Sequence, residues 1–266
     1  MNSNSFFSFS RFIKLMQNDF LLNYKKYLFT VAGALIVGYV ILYMQMPTRE
    51  YSPDFNVWNY SQTFLMCLLG LGAFVGMSFP DFSSKTSSMS YLLLPSSNFE
   101  KFMSQFFIRI VLGTVLFFIV FWIDARLARA TALAVLSQFE HAPTIKPFEF
   151  SNIFYNIDRV FDRLVLIGCM VSIGTYLYSV RLYFKKLALV KTVISMTVAV
   201  LLMMLLFVTL SHVFYPGNDG WWDIQLNTYE IYKHYGNMDL WIYTIFLLSW
   251  IFFLPLGYFK LKEKQI

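Results

Sequence analysis

Long apolar runs, each close to the length of a bilayer crossing, alternate with more polar connections along this chain. Six of them lie near Leu28 to Met46, Thr63 to Phe79, Phe106 to Ile123, Leu164 to Val180, Thr192 to Val213 and Leu240 to Phe259. A helix rising about 1.5 Å per residue needs about twenty such residues to cross ~30 Å of hydrocarbon. The fifth run holds twelve Leu, Ile, Val or Phe residues, on the order of −4 to −7 kcal/mol towards insertion at roughly −0.3 to −0.6 kcal/mol each. The second and fourth are shorter and carry small residues at four-residue spacing, Gly72 with Gly76 and Gly168 with Ser172. That spacing lets helices approach closely, and it serves packing within one subunit and dimerisation equally. Ahead of the first run, Phe9, Phe12, Ile13, Met16 and Phe20 share one helical face while Arg11, Lys14 and Asn18 lie opposite. This pattern predicts a cytoplasmic interfacial elbow helix within residues 1–27, preceding a six-span domain over 28–266. A plain extension of the first span is the alternative. No cleavable signal peptide is expected in this polar start.

Composition removes any water-soluble reading. Hydrophobic residues make up 58%, aromatic residues 20% and charged residues 14% of the chain, with a mean hydropathy of +0.56. A soluble domain runs at about 45–50% apolar and about 25% charged. The expected fold class is an all-α integral membrane protein. The net charge of +6 becomes informative through its distribution, and it does not argue for nucleic acid here. Fourteen of the 21 Lys and Arg residues fall on the side shared by both termini, and seven fall opposite, five of those (Arg126, Arg129, Lys146, Arg159 and Arg163) between the third and fourth runs. Both termini are therefore expected to be cytoplasmic, in a multi-pass protein of an inner or plasma membrane.

Catalytic signatures are missing from the sequence. It has no phosphate-binding G-x-x-x-x-G-K-[ST], no H-E-x-x-H, no G-x-S-x-G and no C-x-x-C. His141, His212 and His234 are scattered, and Cys67 and Cys169 lie inside apolar runs, so neither a metal site nor a disulfide framework is expected. No ionisable residue is expected at the centre of a span, the usual mark of an ion pathway. An intramembrane enzyme has only Asp124, Asp158 and Asp162 at the outer interface in its favour. Energy for any work on a substrate is expected to come from another chain.

The loop 80–105 is the most distinctive stretch. Pro80 closes the second run, and Ser97 with Glu100 three residues later forms a capping-box signature that starts the next helix. Between them Met89, Tyr91, Leu92, Leu93 and Leu94 make an apolar cluster too short to span. Such a cluster needs somewhere to bury itself: the membrane, a groove on a partner, or the underside of the chain's own bundle.

Leu94-Pro95-Ser96-Ser97, followed by Glu100-Lys101-Phe102, resembles the element leading into span three of ABC-2 type permeases, the membrane-spanning subunits of a class of ABC exporters. The closing Tyr258-Phe259-Lys260-Leu261-Lys262-Glu263-Lys264-Gln265 is also similar to the C-termini of small members. The resemblance extends nearly end to end and implies an elbow helix, six spans and cytoplasmic termini. It also implies a coupling helix in the second-to-third loop that docks on an ATPase, a role that falls here on Met89, Tyr91, Leu92, Leu93, Leu94, Pro95, Ser97, Glu100 and Lys101. The implied partners are cytoplasmic ATPase subunits that bind ATP and Mg, a second permease subunit in a homodimer or heterodimer, and membrane lipids. No cofactor or metal is implied in this chain. The extracytoplasmic segment 124–162 is longer than the resemblance leads one to expect. A non-transporting scaffold or sensor that binds a cytoplasmic partner through the same loop is the alternative function. The substrate is open.

Overall fold

Helices carry all six apolar runs. The computed structural model describes residues 7–49, 54–83, 88–89, 91, 93–141, 143–154, 157, 160–184, 188–214, 230–232 and 235–264. Helix α1 runs Phe9–Gln45 and α2 Val57–Gly76. Helix α3, Asn98–Leu136, is α-helical over Asn98–Phe106, a π-helix over Phe107–Leu112, and α-helical again over Gly113–Leu136. Helix α4 is Val160–Val180, extended by a 3-10 turn at Arg181–Tyr183, and α5 is Ala188–Phe214. A short antiparallel pair, β1 (Glu230–Tyr232) and β2 (Tyr235–Gly236), precedes α6 at Asn237–Glu263. The turn signals at Pro216-Gly217 and Asp219-Gly220, and the Trp221-Trp222 pair, lie outside the described residues.

Among the described residues, three helices are long and apolar enough to cross a membrane: Phe9–Gln45, Asn98–Leu136 and Val160–Tyr183. The outward faces of the helices, α2 and α6 included, have the character of a lipid-facing surface. Leu21, Phe29, Leu69 and Phe252 are each more than 70% exposed, an arrangement that would be costly in water at about 25 cal/mol per Å². Buried side chains gather at the two ends of the bundle. At one end Leu42, Tyr60, Phe64, Phe121 and the alanines Ala125, Ala128 and Ala132 form a core between α1, α2 and α3. At the other, Phe79, Phe102, Tyr178, Leu182 and Leu261 join the ends of α2, α4 and α6 to the start of α3.

The N-terminal stretch differs from the expected elbow. α1 is one unbroken helix of 37 residues, about 55 Å long at ~1.5 Å per residue. No glycine or proline occurs between Phe9 and Ala32, so nothing ends the helix where the interfacial stretch meets the first apolar run. Of its expected apolar face, Phe9, Ile13 and Phe20 are exposed, Phe12 packs on Phe107, and Met16 is half-buried. The buried face in this half of α1 is polar, formed by Asp19 and Asn23.

Small residues set the closest helix contacts. A Cβ at Gly72 would meet Leu177 of α4 at 3.4 Å, an ordinary contact, so Gly72 faces α4 within the chain. Gly76, Gly168 and Ser172 are buried, and Gly72 is half-buried. Tighter approaches occur at glycines that the four-residue spacing did not single out. A Cβ at Gly257 of α6 would lie 2.7 Å from Ser179 Oγ, and one at Gly113 would lie 2.9 Å from Phe74.

Beyond α3, the segment following Gln138 folds back over the bundle. The Thr144 amide donates to Asp54 Oδ1 at 2.7 Å, and the Phe55 amide donates to Thr144 O at 3.1 Å. Tyr60 donates to Lys146 O, Ser61 to Ile153 O, and Arg129 Nε to Ile145 O. The Thr144 hydrogen bonds hold the Asp54 carboxyl below the usual aspartate range.

Candidate functional site

The loop between α2 and α3 joins an outward-facing apolar tip to an inward-facing anchor. It leaves α2 through Phe79, whose φ of 53° lies in the left-handed region, a strained value for an aromatic residue held here by burial beneath Tyr178. Pro80–Ser83 then form a 3-10 turn. Further on, the Leu93 amide donates to Met89 O at 3.0 Å, closing one helical turn that sets Met89 and Leu93 on the same side. Met89 is 53% exposed and Leu93 83% exposed. Pro95 is exposed and Leu94 half-buried, while Leu92 lies outside the described residues.

Tyr91 points the other way. Its ring packs on Phe82 at 5.7 Å, and its hydroxyl donates to Lys101 O at 3.3 Å. Burial, followed by the nearby carboxylates of Asp81 and Asp19, pushes that hydroxyl above its ordinary range, so it remains a neutral donor. Asp81 is itself raised, first by burial and then by Asp19.

Ser97 and Glu100 form the capping box that their spacing predicts. Ser97 Oγ accepts from the Glu100 amide at 3.1 Å, and the Ser97 amide donates to Glu100 Oε2 at 2.9 Å. The same carboxylate fastens the chain's beginning to this loop. Its Oε1 accepts from the Ser8 amide at 2.6 Å and from Arg11 Nε at 3.1 Å, with Arg11 Nη2 at 3.0 Å. Glu100 and Lys101 are buried at 0% and 1% exposure, so both serve the chain's own fold. Lys101 Nζ lies 5.9 Å from the Tyr91 ring centroid.

Beneath the loop lies a polar cluster that the sequence reading missed. Asp19 Oδ1 accepts from Asn23 Nδ2 at 3.2 Å and from Gln105 Nε2 at 3.1 Å, and Oδ2 accepts from Tyr27. The Arg109 guanidinium stacks between the rings of Phe74 and Tyr27, 4.7 and 5.2 Å from their centroids. The available signal was the i, i+4, i+8 spacing of Asp19, Asn23 and Tyr27, which places one polar stripe along α1. Here the helix of Asn98–Phe106 passes into the π-helix that contains Arg109.

Chemically, this end of the bundle presents a short exposed apolar turn from a buried, hydrogen-bonded base. Two lysines at the C-terminal end of α6 pack on aromatic rings here. Lys260 sits over the Tyr183 ring and Lys264 over the Phe82 ring, at 5.0 and 4.5 Å. Among the described residues no three His, Cys, Asp or Glu side chains gather as metal ligands, and both cysteines are free. No family model, curated protein or solved structure matches this chain.

Proposed function

We propose that the chain is the membrane-spanning subunit of an ABC-2 type exporter. In this reading all six helices span, both termini face the cytoplasm, and the loop between α2 and α3 couples to separate ATPase subunits. The observation that carries it is the exposed Met89–Leu93 turn mounted beside the Ser97–Glu100–Arg11 anchor. An apolar turn without cover in its own fold calls for a partner groove, and a rigid base lets a push on that turn reach α3 directly. The cations of Arg11, Lys260 and Lys264 at the same end agree with a cytoplasmic face. A second permease subunit completes the substrate path, and ATP with Mg is bound by the partner.

Burying Leu93 from its present exposure is worth about 1.5–3 kcal/mol, so Leu93→Glu should weaken the partner complex by at least roughly tenfold. The test is a photo-crosslinkable residue at Met89 in native membranes, followed by sequencing of the captured protein. Capture of a protein with a phosphate-binding loop, lost in Leu93→Glu, is expected. A captured partner without that loop would replace the exporter with the scaffold reading, and capture unaffected by Leu93→Glu would overturn the docking surface itself.

A further inference from the structure

A lateral groove follows α1 from Phe20 to Ile41, about 30 Å at ~1.5 Å per residue. Helices α2 and α3 form its other walls. Its volume is about 400 Å³, within the ~300–1,000 Å³ range of small-molecule sites. Spread over that length the space is narrow. Gly33, Ala34, Val37 and Gly70 are exposed along its mouth, so it opens sideways between the helices, and its walls are overwhelmingly apolar.

One carboxylate interrupts that apolar lining. Asp124 of α3 is 1% exposed, and its Oδ1 has no hydrogen-bond partner among the described residues. Its Oδ2 rests against Gly38 of α1, where a Cβ would come within 2.2 Å. That glycine is what admits the carboxylate between the two helices. The hydroxyls of the lining are occupied: Tyr27 donates to Asp19, and Thr30 donates to Lys26 O. Nearby cations of the same helix are turned elsewhere, with Arg126 over the Trp122 ring at 4.1 Å and Arg129 bonded to Ile145 O. A buried carboxylate is stabilised by a cation or a strong donor. The described residues supply neither to Oδ1.

We propose that this groove binds a lipophilic ammonium ion, with Asp124 pairing the ammonium head and the Gly33–Gly70 channel holding a single alkyl chain. The complementarity is specific on both counts, because a narrow apolar trough selects the chain and one carboxyl, ionised as it pairs with the ammonium, selects the head. The site stands on α1, α2 and α3 alone and does not depend on coupling to an ATPase. An alkylammonium can arrive as a free amine or as the headgroup of an aminophospholipid.

The test uses the full chain in phosphatidylcholine nanodiscs, titrated calorimetrically with dodecylamine, dodecanol and dodecanoate after subtraction of empty discs. Saturable binding of one dodecylamine per chain is expected, at least tenfold tighter than dodecanol, with dodecanoate weakest. Asp124→Asn should weaken the amine at least tenfold while leaving dodecanol unchanged. Gly70→Leu provides an independent arm: a Cβ there meets nothing within 4 Å, so the side chain fills the channel without disturbing Asp124, and binding should be lost at unchanged helicity. Competition by added phosphatidylethanolamine would assign the head to a lipid, and lack of competition to a free amine. Equal affinity for amine and alcohol, or amine binding that survives both substitutions, would overturn the proposal.

Discussion

The Glu100–Arg11 contact makes an unequal pair, and the inequality predicts which truncation does more damage. Glu100 is sealed from water, whereas the Arg11 side chain keeps 38% of its exposure. Removing Glu100 frees a guanidinium that water can reach, together with the amides of Ser8 and Ser97 that had been bonded to the carboxylate. At about 1 kcal/mol for each neutral bond, and with the ion pair discounted because one partner is half in solvent, Glu100→Ala should cost about 2–3 kcal/mol. Removing Arg11 instead leaves a carboxylate with no solvent and only amide donors. Breaking a buried pair in that direction costs about 3–5 kcal/mol, reduced here to about 3 by the amides that remain. Arg11→Ala should therefore be at least as destabilising as Glu100→Ala, and the double variant no worse than Arg11→Ala alone. Glu100→Gln keeps one acceptor oxygen and turns an NH₂ towards either Ser97 or Ser8, so it should fall between wild type and Glu100→Ala. Unfolding by SDS in mixed micelles, followed by circular dichroism, measures the series. Glu100→Ala within about 0.5 kcal/mol of wild type, or Arg11→Ala clearly milder than Glu100→Ala, would refute the burial argument.

Further expectations are local. Gly257→Val pushes a side chain into Ser179 and should lower stability by about 1–3 kcal/mol through overpacking, whereas Gly174→Ala, where a Cβ meets nothing within 4 Å, should gain about 0.5–1 kcal/mol from helix propensity; thermal unfolding in detergent separates them. Tyr178→Phe removes the buried donor to Phe102 O at 2.5 Å and should cost about 1 kcal/mol by the same assay. Asp54 has a depressed pKa, so its contribution to holding Thr144 is present above the ordinary aspartate value of about 3.9 and is lost as pH falls through the lower folded value. The Thr144 amide resonance should titrate below that ordinary value, and Asp54→Asn should abolish the transition.

Helix placement was legible because hydropathy acts locally: each of the six apolar runs coincides with a helix, and the Ser97–Glu100 spacing marked where α3 begins. The joining of the N-terminal stretch to the first apolar run was less so. The amphipathic pattern of Phe9 to Phe20 identified a helix but could not tell which side would be covered, and the covered side proved to be that of Asp19 and Asn23, because Gln105 supplies a partner from 86 residues away. Such long-range satisfaction of polar groups leaves no periodic trace. Asp124 illustrates the same limit. At the edge of an apolar run it reads as an interfacial residue, and only the pairing of α1 with α3 at Gly38 draws it inside. The loop divided along a different line: apolar character marked Met89 to Leu94 as one cluster, whereas the backbone turn separates an inward Tyr91 from an outward Leu93.

The π-helix at Phe107–Leu112 has a consequence for the phasing of α3. An inserted residue turns everything beyond it by about 100° relative to an uninterrupted α-helix. That offset lets Gln105 look towards Asp19 at one end while Asp124 looks towards Gly38 at the other. Deleting one residue within the π-helix would restore ordinary winding and swing one of those two faces off α1. The wide turn is thus an angular gearbox, fixing how the loop end and the groove end of one helix are clocked against each other.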